Sequence, residues 1–200
     1  YHGHGLTASA TLFQTNFNNQ NYGFIDPVNP AIQGEFRAVL RTRGVEIDLG
    51  FEAGEFFRLD AVGVFQRPSL GNVFINGVAQ PSFSGNRPER TPKVLYTITP
   101  AFILPNKLGE IYGRYKYVGN IFADSGNGLA LPSYGVTSIG LILNAKSNLQ
   151  FTLSADNLFS VTGLTEGNPR QGQTQNAASG LFYARGIVGT TYSGSVTLKF

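Results

Sequence analysis

Cysteine, methionine and tryptophan are absent from the 200 residues, and only two histidines occur. Without cysteine there is no disulfide, no thiolate nucleophile and no zinc site built on sulfur. Without methionine at its head the chain does not begin at a translation start, so it is expected to be processed or part of something longer. Charge is also scarce. Charged residues make up 14%, and the formal net charge of +3 comes from 15 basic and 12 acidic side chains that are scattered along the chain. A nucleic-acid binder shows a clustered basic footprint instead, so no nucleic-acid partner is expected. No apolar run approaches the roughly 18 to 20 residues that a helix needs to cross a bilayer, which excludes a helical membrane span. Residues Tyr1 to Thr11 also lack the basic start and apolar core of a signal peptide.

Enzyme chemistry finds little to stand on. His2 and His4 sit together near the first residue, where they are expected to share a strand face without a third ligand, so no metal or cofactor is expected. The acidic residues are spread by alternation instead of gathered in a motif, and the glycine-rich stretches lack phosphate-loop spacing.

What is abundant points to strands. Gly 25, Phe 16 and Tyr 9 beside few helix formers predict an all-β fold. Period-two alternation is clearest at Leu149, Phe151, Leu153 and Ala155 against Gln150, Thr152, Ser154 and Asp156. The same pattern places Val45, Ile47, Leu49 and Phe51 against Glu46 and Asp48, and Ile111, Gly113, Tyr115 and Tyr117 against Glu110, Arg114 and Lys116. About eight strands follow, over roughly 4–17, 34–51, 56–66, 93–104, 109–121, 134–145, 148–158 and 186–200. Tight turns are expected at Glu52-Ala53-Gly54-Glu55, Pro105-Asn106-Lys107 and Ala145-Lys146-Ser147-Asn148, and Asn76-Gly77 signals a further small hairpin.

Connections alternate strictly between long (18–33, 67–92, 122–133 and 159–185) and short. Transmembrane barrels are built this way, with short periplasmic turns and long outer loops, and their strands need only about 9 to 11 alternating residues. Mean hydropathy of -0.05 does not separate such a barrel from a soluble one. Phe17, Phe65, Tyr117, Phe122 and Phe159 near one end, and Phe51, Phe56, Phe102 and Phe200 near the other, fit two aromatic belts. In a wide barrel Glu46, Asp48, Arg58, Asp60, Arg114 and Lys116 would face the lumen, with Asp48 and Arg58 expected to pair across the first tight turn. The closing residues Tyr192, Gly194, Val196, Leu198 and Phe200 resemble the terminal strand signal by which outer-membrane barrels are recognised for assembly.

Three stretches carry the resemblance further: Gly85-Asn86-Arg87-Pro88 leading to Thr91-Pro92; Phe122-Ala123-Asp124 through Leu131-Pro132-Ser133-Tyr134; and Ser154-Ala155-Asp156-Asn157-Leu158-Phe159 followed by Gly163 through Asn168-Pro169-Arg170. Together they resemble the C-terminal barrel strands of a TonB-dependent outer-membrane receptor. That resemblance implies a bacterial outer-membrane protein whose residues 1–200 are the C-terminal portion of a barrel of about 22 strands, the plug lying outside this chain. It also implies contact with membrane lipid and the barrel-assembly machinery, TonB contact through the missing N-terminal part, and a scarce nutrient such as a ferric siderophore, cobalamin or saccharide. Asn86, Arg87, Arg90, Asn168 and Arg170 are the loop residues expected to meet that ligand, because arginine and asparagine donate well-directed hydrogen bonds. Two alternatives stay open: a self-contained eight-stranded barrel serving as anchor or adhesin, which requires the first and last strands to pair, and a soluble carbohydrate-binding β protein.

Overall fold

A computed structural model describes residues 1–25, 33–167 and 184–199. Its strands are β1 (His2–Gly3), β2 (Leu6–Ile25), β3 (Gln33–Ala53), β4 (Phe57–Leu70), β5 (Phe74–Ile75), β6 (Val78–Ala79), β7 (Val94–Leu104), β8 (Gly109–Val118), β9 (Ile121–Phe122), β10 (Ala130–Leu131), β11 (Tyr134–Lys146), β12 (Leu149–Asp156), β13 (Leu164–Gly167), β14 (Ala184–Gly186) and β15 (Thr191–Leu198). All eight expected long strands form. One antiparallel sheet runs β1-β2-β3-β4-β7-β8-β11-β12-β15, with β5 and β6 attached beside β3, while β9–β10 and β13–β14 are separate small hairpins.

Long strands arise because alternation matches the pleat. Direct cross-strand partners share a face, so the register sorts the whole sheet. One face carries Leu12, Val45, Phe65 and Val94 in one row, and Leu6, Phe51, Leu59 and Pro100 in another. It continues across Ile139 and Ala155 to Tyr192, and across Phe151 to Val196. The opposite face carries Thr11, Glu46 and Val64, then Thr97, Lys116 and Val136. A one-residue slip would exchange the two faces of a strand, so the register is strongly specified.

Turns gather at one end and long connections at the other. The first hairpin turns on His4 and Gly5, both with positive φ (53° and 75°). His4 therefore sits in a turn and not on a strand face shared with His2. The tight turn after β3 falls at Gly54–Phe56, because Ala53 still pairs with Phe57. Asn76 and Gly77 close the predicted small hairpin, with Phe74 opposite Ala79.

The expected loop 18–33 is largely strand: β2 continues to Ile25 and β3 begins at Gln33, residues 26–32 lying outside the described set. A bulge between Phe17 and Gln20 lets pairing resume at Gln20–Ala38. Twenty residues of strand span roughly 65 Å, more than a bilayer core requires, so this hairpin projects well beyond the apolar band. The buried apolar clusters lie at the loop end of the sheet. Phe36, Ala38, Leu70 and Val73 form one cluster with Ile75 and Phe83, and Ile121, Ala123 and Leu131 form another with Leu129 and Leu164. Away from these clusters, large side chains of the apolar face such as Leu12, Leu49, Phe102 and Leu153 stay exposed.

Two aromatic assignments change. Phe17 stands opposite Leu40, on the polar-face parity, and Phe122 belongs to β9 beneath Arg87, so neither joins a belt on the apolar face. Phe65 and Tyr117 keep that place near the loop end, as do Phe51 and Phe102 near the turn end. Phe200 lies outside the described residues.

Candidate functional site

The connections at the loop end are held by short polar side chains acting as backbone substitutes. Asn127, at φ 58°, accepts from the Arg87 amide at 2.9 Å and donates to the Arg87 carbonyl at 2.7 Å, closing a two-bond pair like a strand ladder. Asp124 accepts from the Gly128 and Leu129 amides at 3.0 and 2.8 Å, which closes the β9–β10 hairpin over its apolar cluster. Asn86 donates to the Ser125 carbonyl at 3.0 Å. Arg90 pairs with Glu166 at 2.7 Å, and Arg185 reaches the other oxygen of that carboxylate at 3.4 Å. Asn86 and Arg90 thus tie loop to loop. Asn168 and Arg170 lie outside the described residues.

Arg87 differs from its neighbours. It is 5% exposed, its guanidinium stacks 4.5 Å over the Phe122 ring, and its Nε has no hydrogen-bond partner. Burial lowers its pKa from the usual arginine value. Glu89 nearby is pushed up by burial, opposed by the hydrogen bond from the Ser125 hydroxyl.

Arg87 lines a cleft of about 950 Å³ together with Arg41, Arg43, Arg67 and Lys93. Five basic side chains meet there without a carboxylate among the lining residues. Four of the five escaped the sequence reading. The signal was present as alternation: Arg41 and Arg43 continue the series Val45, Ile47, Leu49, Phe51, and Arg67 continues Phe57 to Phe65.

On the polar face Glu46, Asp48, Arg58, Asp60, Arg114 and Lys116 share one side of the sheet. The expected Asp48–Arg58 pair does not form. Asp48 stands opposite Val62, whereas Arg58 bonds Asp60 at 3.0 Å and reaches across to Glu110 at 3.1 Å, because register puts Glu52 opposite Arg58. Arg114 lies 5.8 Å over the Tyr112 ring. A smaller cleft of about 530 Å³ runs along this face between Glu46, Asp48, Thr97 and Lys116.

At the last edge, β15 places Tyr192, Gly194, Val196 and Leu198 on the apolar face against Ala155, Leu153, Phe151 and Leu149. Among the described residues nothing joins β15 to β1 or β2, so the sheet is open. The closed eight-stranded barrel is therefore not formed: its closure needs a pairing that the register does not make.

An antiparallel sheet that is apolar over one face and charged over the other, with packed loops at one end only, is the wall of a transmembrane barrel. The family model described as TonB dependent receptor-like, beta-barrel matches residues 1–158, and the chain belongs to that family, whose members are bacterial outer-membrane proteins. The family is one of receptors and transporters.

No curated protein matches the chain. Solved structures do. The siderophore receptor PiuA from Acinetobacter baumannii is similar at 20% identity and TM-score 0.70, covering 98% of this chain and 26% of its own. The ferric yersiniabactin uptake receptor FyuA from Yersinia pestis is similar at 18% identity and TM-score 0.72, covering 100% of this chain and 28% of its own. The copper transporter OprC is similar at 14% identity and TM-score 0.73, covering 100% and 30%. The chain thus spans between a quarter and a third of each, and at these identities the likeness is one of fold.

Proposed function

We propose that this chain is the C-terminal barrel segment of a TonB-dependent receptor that imports a scarce nutrient across the outer membrane. The observation that carries the reading is the division of the sheet: Leu12, Phe65, Leu153 and Val196 on a face suited to lipid, and the Arg58–Asp60–Glu110 network on a face suited to a wet lumen. Two unpaired edges in lipid would each expose backbone groups at several kcal/mol apiece, so further strands of the same barrel are required to cover them. Coverage of about a quarter of the neighbouring receptors is consistent with that. A plug, and the TonB contact that it carries, belong in this reading to the part of the protein outside this chain. The barrel-assembly machinery meets β15.

Within the loops Arg87 is the strongest ligand candidate, being the one candidate arginine among the described residues whose guanidinium is not committed to a carboxylate. Neighbours named for ferric siderophores and for copper support a metal-bearing nutrient over a saccharide. The test is growth of the source bacterium with the gene deleted, on a panel of ferric siderophores, copper, cobalamin and oligosaccharides as limiting supplies. Loss of growth on one of them, reproduced by loss of TonB, is the expected result. Growth unchanged on the whole panel, or uptake that survives loss of TonB, overturns the reading.

A further inference from the structure

On β3 the apolar face runs Phe51, Leu49, Ile47, Val45 and then continues, by the same alternation, to Arg43 and Arg41. On β4 it runs from Phe57 to Phe65 and continues to Arg67. Arg43 stands directly opposite Arg67, with Gln14 of β2 beside it. Two like charges directly opposite each other destabilise a sheet. Among the described residues neither arginine forms an ion pair, nor does Arg41. They form one wall of the cleft that the buried, incompletely bonded Arg87 also lines. Such a site is built for an anion that the protein does not itself supply.

We propose that this cleft binds the phosphate-bearing headgroup of a lipid in the outer leaflet. Level and face decide the occupant. Arg43 and Arg67 lie one row beyond Phe65, about 7 Å along the strand, so they stand where acyl chains end and headgroups begin. The exposed Leu12 and Phe65, with the half-buried Val45 between them, offer the acyl chains an apolar seat immediately below. A nutrient inside the barrel would approach the polar face and the loops, whereas Arg41, Arg43 and Arg67 stand on the apolar face by register. The planar guanidinium fork matches phosphate in a bidentate manner, and a neutralised Arg43–Arg67 pair would turn a repulsion into a clamp holding β3 to β4. The inference goes beyond nutrient uptake and rests only on the apolar face meeting lipid.

Full-length receptor in nonionic detergent, titrated calorimetrically with dihexanoyl phosphatidic acid and separately with inorganic phosphate, tests it. Saturable binding of the phosphatidate is expected, at least tenfold tighter than inorganic phosphate, and weakened tenfold or more in the Arg43→Gln/Arg67→Gln double variant. Arg41→Gln alone, the milder change, is expected to weaken it about threefold and decides the matter if the double variant does not fold. Equal binding by wild type and variants overturns the proposal, and so does inorganic phosphate binding as tightly, which would mark a site for free anions. Uptake plays no part in the measurement, so a receptor that imports normally but binds no phosphatidate removes this site and leaves the uptake reading standing.

Discussion

Leu153 is 56% exposed at the middle of β12, on the apolar face between Leu141 and Gly194. Its neighbour Thr152 points to the other face, between Ile142 and Ser195. Both positions lie mid-strand, both are free of nearby formal charge in the register, and they differ only in face. Arginine at 153 would enter the hydrocarbon core, where a cationic side chain on the lipid face of a barrel costs about 2 to 4 kcal/mol near the midplane. That is roughly a 30- to 900-fold change in the folding equilibrium. Arginine at 152 would enter a wet lumen and is expected to cost less than about 1 kcal/mol. The measurement is urea unfolding of the full-length receptor in lipid vesicles, followed by circular dichroism, for wild type, Leu153→Arg and Thr152→Arg. Equal losses, or a greater loss for Thr152→Arg, would refute the assignment of the faces.

Asn157 is 4% exposed and its side chain makes three hydrogen bonds, donating to the Val161 and Val188 carbonyls and accepting from the Val161 amide. Asn157→Ala should cost about 2 kcal/mol locally, read as lost amide-exchange protection at Val161; unchanged protection would count against this clamp. Arg58→Met should cost about 1 kcal/mol or less, because the ion pairs are partly exposed, and the difference should shrink in high salt; a loss above roughly 3 kcal/mol would mean the network is far drier than its exposure indicates. Gly77→Ala and Gly109→Ala separate strain from crowding. Both glycines have positive φ, 80° and 133°, but a Cβ at 77 meets open space while one at 109 runs into the Ile142 carbonyl oxygen. Gly77→Ala should cost about 1 kcal/mol and Gly109→Ala at least twice that by urea midpoint; equal costs would argue against the close approach.

The strands and their faces are legible in the local order of residues. Alternation such as Leu149 to Asp156 against its polar partners is a property of consecutive residues, and so are the Asn76-Gly77 turn and the long-short rhythm of connections. The Asn-rich stretch from Asn16 to Asn21 has no such alternation, and its continuation as strand was decided by pairing with β3, whose Phe36 and Ala38 find their cover in a loop thirty-odd residues away. The ion pairs were decided by register too: Asp48 and Arg58 are close in chain but stand four pairs apart on the hairpin, while Arg58 and Glu110 meet across β7. Most clearly, Arg43 and Arg67 are unremarkable residues in their own segments. Only the β3–β4 register sets them face to face, and only the folded loops bring the buried Arg87 to the same cleft. Local period is written in neighbouring residues, whereas the coincidence of charges depends on which strands pair, and lipid outside the sheet removes the hydrophobic core that would otherwise reveal its location.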